Sequence, residues 1–442
     1  VSGKDTPTGL SRLHSRLDDL LSYSEEPHAF SDSEVTTLIA AIDEMKILDP
    51  ACGSGAFPMG VLHKLVHILH KLDPNNRRWM ERQIAKVDEL IASAEKIEDA
   101  DHRERVIADL EANKQDIKDA FANNELDFGR KLYLIENCIY GVDIQPIATQ
   151  ISKLRFFISL IVDQKVSKPS VQGTPPPSKP LPNFGIRPLL NLETKFVTAN
   201  TLIGMKKPDG FLRNQEIDKL EAQLKEVRHK IFNARTSETK KKYREADEAL
   251  REKIADLLIS SGWENESARQ VATWDPYDQN ASAPFFDPEW MFGIRTSSSD
   301  GFDIVIGNPP YVQIQKFPQA QKELWIAQKF QTYTATGDIY CLFYERGVQL
   351  LAPHGHLCFI TSNKWMRANY GKALRKFFCE NGQLSQLIDF GDSPIFEAAT
   401  TYTNIALWSK NKTPTPSLFC DLSRTYKTDL SLPEMLSAQG CG

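Results

Sequence analysis

The segment "MKILDPACGSGAFPMGVLHKLVHIL" (45–69) decides the fold class, because it reads as a short buried strand, a glycine-bearing turn and an amphipathic helix. Gly53 and Gly55 let the backbone turn sharply and approach a ligand without interference from a Cβ atom. The third glycine of the dinucleotide-binding pattern would fall at Pro58, so a pyrophosphate cradle is disfavoured. Asp49, at the end of the strand, instead suits a cationic or hydroxyl-bearing ligand.

Short β-rich runs and helical stretches continue to alternate along the chain, which is typical of an α/β sheet. The last two of seven predicted strands are joined by a loop too short for a helix, so we expect them to be antiparallel neighbours. The predicted strands are 46–48, 139–144, 195–199, 302–306, 356–361, 384–390 and 402–408.

Three segments interrupt this alternation. Residues 75–130 are charged and helical in pattern, with four apolar residues on one face: Ile84, Val87, Leu90 and Ile91. Residues 212–260 have apolar residues at alternating three- and four-residue steps, broken at "NARTSE", which predicts an αα-hairpin. For this hairpin a solvated structural arm is favoured over a DNA clamp or a partner dock. Residues 165–183 are Pro-rich and predict an extended linker.

The composition is ordinary for a soluble globular protein, with 41% hydrophobic and 25% charged residues in 442. A formal net charge of −5 is poor for gripping a polyanion with the whole surface, so a nucleic-acid partner would need a local basic surface. No apolar run is long enough to cross a membrane, and no signal peptide is evident. The seven cysteines show no metal-type spacing, so we predict no metal site and reduced thiols in a cytoplasmic protein.

Polar residues also follow two further predicted strands. Asp143 ends the strand in "IYGVDI", and Asn200 follows the strand in "FVTANTLI". Ligands of open α/β sheets lie at the carboxyl ends of the strands, where Asp143 could accept hydrogen bonds from ribose hydroxyls. A lone acid at such a position is more often a helix cap or a surface residue. Three strand-end residues in register, with Asp49 as the first, weaken that alternative.

The strand in "FDIVIGNPPY" (302–311) stops at an amide, two prolines and an aromatic ring. Pro309 and Pro310 have no backbone N–H and a fixed φ, so their carbonyls are held rigidly and remain free as acceptors. Asn308 adds a side-chain carbonyl, and Tyr311 supplies a flat face for a planar ring. Two converging acceptors beside such a face suit an aromatic amine.

Three motifs together resemble the S-adenosylmethionine-dependent amino-DNA methyltransferases of the N6-adenine branch: "DPACGSG" (49–55), "GVDI" (141–144) and "GNPPY" (307–311). The stretch "IENCIYGVDIQPIATQISKLRFFISL" (135–160) is most similar to the large methylases of type IIG restriction–modification enzymes. The resemblance covers about residues 45–410. It implies a Rossmann-like class I methyltransferase sheet of seven mostly parallel strands with an antiparallel last strand, plus long helical insertions.

This resemblance also implies the domain organisation. Residues 1–44 would be a helical N-terminal extension, 45–410 the methyltransferase domain, and 411–442 a C-terminal tail leading toward a recognition domain outside this sequence. The insertions account for the separation of 259 residues (308 − 49) between Asp49 and Asn308. We find no nuclease constellation, so DNA recognition and cleavage are expected on other parts of the same chain.

The resemblance assigns S-adenosylmethionine as cofactor. The glycine turn would surround its methionine part, Asp143 its ribose, and Ile144 its adenine. Asn200 stands where many relatives carry Asp, near the adenine amino group. The implied cofactor-binding residues are Asp49, Pro50, Ala51, Cys52, Gly53, Gly55, Phe57, Asp143, Ile144, Asn200, Thr201, Leu202 and Phe343.

The implied partner is double-stranded DNA with a flipped adenine. The catalytic residues would be Asn308, Pro309, Pro310 and Tyr311, with Tyr311 also stacking on the base. Phe396 lies where relatives place a second stacking aromatic, but it could equally be a core residue of the last hairpin. Three alternatives stay open: N4-cytosine methylation, protein-glutamine methylation by a compact "NPPY" enzyme, and a non-catalytic scaffold.

Overall fold

A computed structural model describes residues 9–96, 100–122, 126–163, 191–206, 208, 215–234, 237–296, 300–396, 402–411, 416–426 and 431–438. The predicted Pro-rich linker, 165–183, lies outside these described residues. The chain forms two compact units, and each is described by itself. The first comprises Val1–Met45, Met59–Cys138 and Phe156–Pro188, and the second Lys46–Pro58, Ile139–Arg155 and Leu189–Gly442.

The first unit is built from helices, of which α3 and α7 begin in residues of the second unit. The helices are α1 (Gly9–Leu21), α2 (Asp32–Glu44), α3 (Ala56–Leu72), α4 (Arg77–Ala94), α5 (Ala100–Ala122), α6 (Leu126–Asn137) and α7 (Pro146–Val162). Ser31 begins α2 with a capping box, in which its backbone N–H donates to Glu34 at 2.8 Å.

A buried carboxylate sets the rotation of α4. Asp43 accepts hydrogen bonds from Arg82 at 2.8 Å, from Gln83 at 3.1 Å and from Lys86. Burial raises the pKa of Asp43, but hydrogen bonds from Lys86, Tyr133 and Arg82 outweigh it and hold the pKa below its usual value. The buried face of α4 is Trp79, Gln83, Val87 and Ala94. The predicted face was therefore wrong at Leu90, which is 53% exposed.

The second unit contains one mixed sheet in the order β3-β2-β1-β4-β5-β7-β6-β8. The strands are β1 (Ile47–Asp49), β2 (Ile139–Asp143), β3 (Phe196–Thr198), β4 (Phe302–Gly307), β5 (Leu351–Ser362), β6 (Gln383–Asp389), β7 (Thr403–Ser409) and β8 (Leu418–Asp421). β1 to β5 pair in parallel, and β7 lies antiparallel between β5 and β6. The fold is therefore the α/β methyltransferase sheet that the sequence predicts.

The strand count differs from the prediction of seven. β8 lies in the segment that was expected to be a tail, and it pairs in parallel with β6. Its register places Cys420 opposite Ile388, and both pack in a small core with Phe390, Leu422 and Met435. A strand of four residues with one buried side chain carries too little alternation to be found from sequence.

The strand order reverses between β1 and β4, which pair directly through Ile47–Ile304 and Leu48–Val305. In α/β sheets this switch point opens a crevice at the carboxyl ends of the strands.

Helix α13 packs on β4 and β5, where Gly347 allows a close approach, because a Cβ there would lie 2.5 Å from Leu357. The other helices of this unit are α8 (Gln215–Asn233), α9 (Ser237–Ser260), α10 (Asn265–Thr273), α11 (Pro288–Phe292), α12 (Gln319–Ala327), α13 (Tyr340–Leu350), α14 (Gly371–Asn381) and α15 (Leu432–Ala438).

The predicted αα-hairpin is formed by α8 and α9, but it is not a solvated arm. It packs against α10 and α11 around a core of Ile217, Leu224, Ile254, Leu258, Trp263, Ala268, Val271 and Trp290. Arg228 and Arg251 each donate to the fully buried carboxylate of Asp247 at 2.8 Å. In the described part of the chain, no helix is long and apolar enough to span a membrane.

Candidate active site

The turn after β1 is shaped by two glycines in the left-handed region, Gly53 with φ +54° and Gly55 with φ +79°. A Cβ on Gly55 would lie 2.9 Å from the Ser152 hydroxyl oxygen, which donates to the Gly53 carbonyl at the same distance. A Cβ on Gly53 would meet nothing within 4 Å. Gly55 therefore serves close packing against α7, whereas Gly53 borders open space.

Asp143 ties the end of β2 to this turn. One carboxylate oxygen accepts the Gly53 N–H and the other accepts the Gln145 N–H, both at 2.9 Å. Each carboxylate oxygen has a further lone pair, so Asp143 can hold the turn and still accept hydrogen bonds from a ligand. The Cys52 N–H adds a second link by donating to the Val142 carbonyl at 2.9 Å.

The residues after β3 divide into structural and accessible ones. The Thr201 hydroxyl donates to the Pro50 carbonyl at 2.7 Å, and Leu202 is buried in the main core of the unit. The side-chain amide of Asn200 is half-buried and makes no hydrogen bond within the described residues. Of these three predicted residues, Asn200 alone presents free polar atoms.

The carboxylate of Asp49 brings the first and last motifs into contact. A Cβ on Gly307 would lie 2.6 Å from Asp49 Oδ1, so a side chain before Asn308 would have to displace Asp49 or the end of β4. Asp49 is buried, and its Oδ1 accepts the Ala51 N–H at 3.1 Å. Burial, with the negative charge of Asp143 adding to it, raises the pKa of Asp49 to about 8.

The turn after β4 holds its aromatic residue by the hydroxyl. The Tyr311 hydroxyl lies 2.5 Å from Asn308 Oδ1 and 2.9 Å from the Ile360 carbonyl. The ring is half-buried and packs edge-on against Tyr340, with 6.0 Å between centroids. Pro309 is buried and Pro310 is exposed.

The remaining predicted residues differ in accessibility. Ile144 is 55% exposed and Phe57 is half-buried at the start of α3, whereas Phe343 is buried in the core. Phe396 is half-buried, and no ring contact joins it to Tyr311 within the described residues. The structure therefore brings together the ends of β1, β2 and β4 and leaves the roles of these four side chains as predictions.

Sequence reasoning missed Asp338. Residues 337–339 pair with 312–314, and the Ile339 N–H donates to the Val312 carbonyl at 3.0 Å. Asp338 Oδ1 is buried and has no hydrogen-bond partner among the described residues. Burial raises the pKa of Asp338, and burial together with the Asp338 charge raises the pKa of the Tyr311 hydroxyl. In the sequence, an acid just before a helix is interpreted as a helix cap. Its position next to the Tyr311 turn was therefore not predicted.

A family model for the Eco57I restriction-modification methylase matches residues 137–396, well over half of the chain. The chain belongs to this methylase family. The matched range includes the Asp143 and Asn308–Tyr311 motifs, while the glycine turn near Gly53 precedes it.

Relatives of this Eco57I-family chain are longer proteins. The type II restriction enzyme and methyltransferase RM.Eco57I of Escherichia coli is 40% identical over 111 residues, 25% of this chain and 11% of the relative. The type II methyltransferase M.XhoI of Xanthomonas vasicola is 36% identical over 112 residues, 25% of this chain and 20% of the relative. A putative type II restriction enzyme and methyltransferase of Methanocaldococcus jannaschii is 22% identical over 85% of this chain and 30% of its own length. The chain thus spans less than a third of each relative.

Among solved structures, the type IIL restriction-modification enzyme MmeI in complex with DNA aligns with a TM-score of 0.42 and 10% identity. That alignment covers 93% of this chain and 36% of MmeI.

Proposed function

We propose that this chain transfers a methyl group from S-adenosylmethionine to N6 of adenine in DNA, as the modification part of a restriction–modification protein. One observation carries the proposal: the contact of Asp49 with Gly307, which places the glycine turn against the Asn-Pro-Pro-Tyr turn at the switch point of the sheet. A donor site and an acceptor site that share one edge meet the proximity that direct group transfer needs.

The crevice fits the proposed cofactor. The open space at Gly53 lets a ligand approach the backbone, and the Asp143 carboxylate beside it can accept hydrogen bonds from hydroxyl groups. Asp49 holds its proton in the empty site, and a positive charge bound next to it would favour its ionised form. The free amide of Asn200 at the next strand end can bond either a donor or an acceptor. S-adenosylmethionine, when bound, supplies an electrophilic methyl group on a sulfonium centre.

The acceptor side fits a flat ring with an amino group. A base inside a duplex is unreachable, so the target adenine must be flipped out, at a cost of a few kcal/mol. Stacking on the Tyr311 ring would recover about 1–3 kcal/mol of this cost. Phe396 is proposed as the second stacking surface on the basis of its position in the chain alone.

Asn308 and the Pro309 carbonyl would accept the two N–H bonds of the amino group. These hydrogen bonds localise the nitrogen lone pair that is otherwise shared with the ring. The nitrogen would then form its bond to the methyl carbon as the carbon–sulfur bond of the sulfonium breaks, with S-adenosylhomocysteine as the leaving group. The methylated nitrogen would lose its extra proton afterwards, so the chain needs to supply no nucleophile of its own. Its contributions are alignment and a preorganised polar field.

Analysis of the methylated product tests this function. DNA incubated with the chain and isotopically labelled S-adenosylmethionine is digested to nucleosides, and mass spectrometry identifies the labelled one. We expect N6-methyl-2′-deoxyadenosine. Labelled N4-methyl-2′-deoxycytidine would reject the choice of base. Label found in glutamine residues of protein added to a parallel reaction, and not in DNA, would reject DNA as the substrate.

The variant Asn308→Ala separates an enzyme from a scaffold. It should keep cofactor affinity, measured by calorimetry, and lose methyl transfer, because only the acceptor side changes. A well-folded wild-type chain that binds no S-adenosylmethionine would favour the scaffold. The proposal leaves DNA sequence recognition and cleavage to other segments of a longer protein.

A further inference from the structure

The Tyr311 hydroxyl stands between two hydrogen-bond acceptors. Its oxygen lies 2.5 Å from Asn308 Oδ1 and 2.9 Å from the Ile360 carbonyl oxygen. A tyrosine has one proton to donate, and a backbone carbonyl can only accept. With the amide oxygen facing the hydroxyl, two acceptors compete for that proton.

The other end of the Asn308 amide has the opposite mismatch. Its Nδ2 makes no hydrogen bond within the described residues, and it is the end turned away from Tyr311. The proposed substrate group is an NH2, which needs acceptors, and an amide NH2 turned toward it would oppose two donors. Both ends of the amide are therefore unsuited to the transfer step in this orientation.

A half-turn of the amide, which exchanges its oxygen and nitrogen, corrects both mismatches. Asn308 Nδ2 then donates to the Tyr311 oxygen, the Tyr311 hydroxyl donates to Ile360, and Oδ1 is free to accept. We propose that Tyr311 is a positioning residue whose hydroxyl, anchored to the Ile360 carbonyl, selects the orientation of Asn308 that accepts the substrate amino group. This role is additional to stacking by the ring, and it rests on the proposed function.

The position of Ile360 in the sheet explains why its carbonyl is available as an anchor. β4 and β5 pair as far as Gly307 and Phe359, so Ile360 lies one residue beyond the ladder. Pro309 and Pro310 have no N–H with which to extend it. The prolines thus remove competing donors, and the Tyr311 hydroxyl takes the place that a backbone amide would fill. The raised pKa of this hydroxyl keeps it protonated as a donor.

A double-mutant comparison isolates the orienting role. Tyr311→Phe keeps a stacking ring and removes the hydroxyl, so the amide is no longer oriented. In an Asn308→Asp background both side-chain atoms are oxygen acceptors, and there is no orientation left to select. We expect Tyr311→Phe to lower kcat about tenfold in the wild-type background, which corresponds to the loss of about one hydrogen bond, with little change in KM for DNA. In the Asn308→Asp background the same change should lower kcat less than about twofold.

Equal losses in both backgrounds, or an unchanged kcat for Tyr311→Phe alone, would overturn the inference. A loss shared by both backgrounds would mean that the hydroxyl only supports the fold. Fluorescence of 2-aminopurine at the target position checks that base flipping and stacking survive in Tyr311→Phe, and loss of flipping in this variant would also count against the inference.

A binding measurement tests the orienting role even if the chain shows no catalytic turnover. The cofactor-loaded 442-residue chain is titrated with adenosine and with purine riboside, which lacks the amino group, and NMR line broadening reports the affinities. Wild type should prefer adenosine, and Tyr311→Phe should reduce that preference severalfold; an undiminished preference would reject the inference. A wild-type chain that prefers adenosine but methylates no adenine would reject the proposed function and leave the orienting role standing.

Discussion

A side chain on Gly307 would overlap the carboxylate of Asp49, because its Cβ would lie 2.6 Å from Oδ1. The two residues end neighbouring parallel strands, and Asp49 is buried. The last backbone atoms of β4 therefore form one wall of the site that holds Asp49. A change at either residue alters the crevice at both the donor and the acceptor side.

Gly307→Ala should damage the site through this contact. The added methyl must displace Asp49 or β4, at a cost of about 1–3 kcal/mol in unfolding free energy. We expect cofactor affinity to fall about tenfold or more, measured by calorimetry, because the carboxylate is displaced from the turn. Gly60→Ala is the matched control, since it adds the same methyl in helix α3 with nothing within 4 Å. Unchanged affinity in Gly307→Ala would show that Asp49 can move without consequence.

Asp49 should make stability fall with rising pH. Its folded pKa is about 8 against a usual value of 3.8, so the folded state holds its proton over a range in which the unfolded chain has lost it. The resulting destabilisation grows from about pH 4 to about pH 8 and is complete above that. Asp49→Asn, which stays neutral, should therefore stabilise the apo-protein more at pH 9 than at pH 6. Urea unfolding at pH 6 and at pH 9 measures the free energy of unfolding of both proteins. An equal increase in Asp49→Asn at the two pH values would contradict the raised pKa.

The sequence predicted which edge of the sheet carries the candidate site, because the geometry of parallel strands follows a simple rule. Parallel strands present their carboxyl ends at the same edge, so polar residues that follow different strands are expected to meet there. Asp49, Asp143 and Asn200 are the residues predicted in this way. The Gly53–Asp143 hydrogen bond joins the turns after the first two, and the contact of Gly307 with Asp49 adds the turn that carries Asn308. Gly307 could have been added from the same pattern, since glycine before a site residue suggests close backbone approach.

Side-chain hydrogen bonds between distant segments were not predictable in the same way. The Tyr311–Ile360 bond joins residues 49 positions apart. Asp338 is likewise placed by a non-local contact, an isolated backbone bridge to Gln313. The buried face of α9 could not be predicted completely from apolar periodicity either, because it includes the charged residues Asp247 and Arg251. Apolar periodicity cannot identify a helix face that is buried through ion pairs, because the residues concerned read as solvent-facing.

Gly53 and Gly55 should respond differently to alanine. Both have positive φ, so each substitution carries a backbone cost of about 1–2 kcal/mol. Gly55→Ala also meets Ser152 at 2.9 Å, whereas Gly53→Ala meets nothing within 4 Å. We expect Gly55→Ala to lose more stability in urea unfolding, and Gly53→Ala to lose cofactor affinity out of proportion to its stability, because the new methyl enters the ligand space. If the ratio of affinity loss to stability loss is the same for both variants, the cofactor does not use the Gly53 side of the turn.

Asp247→Asn should destabilise the hairpin of α8 and α9 and leave the candidate active site unchanged. The change leaves the guanidinium groups of Arg228 and Arg251 buried beside a neutral amide, and breaking a buried pair in this way costs about 3–5 kcal/mol. Glu245→Gln is a matched control on the same helix, because its pair with Lys241 is exposed and 3.9 Å long, and we expect little change from it. Urea unfolding compares the two variants, and methyl transfer below the unfolding transition should be unchanged in both. A similarly small effect of Asp247→Asn would show that water or a rearranged side chain compensates the two arginines, and that packing against α10 and α11 alone holds the hairpin.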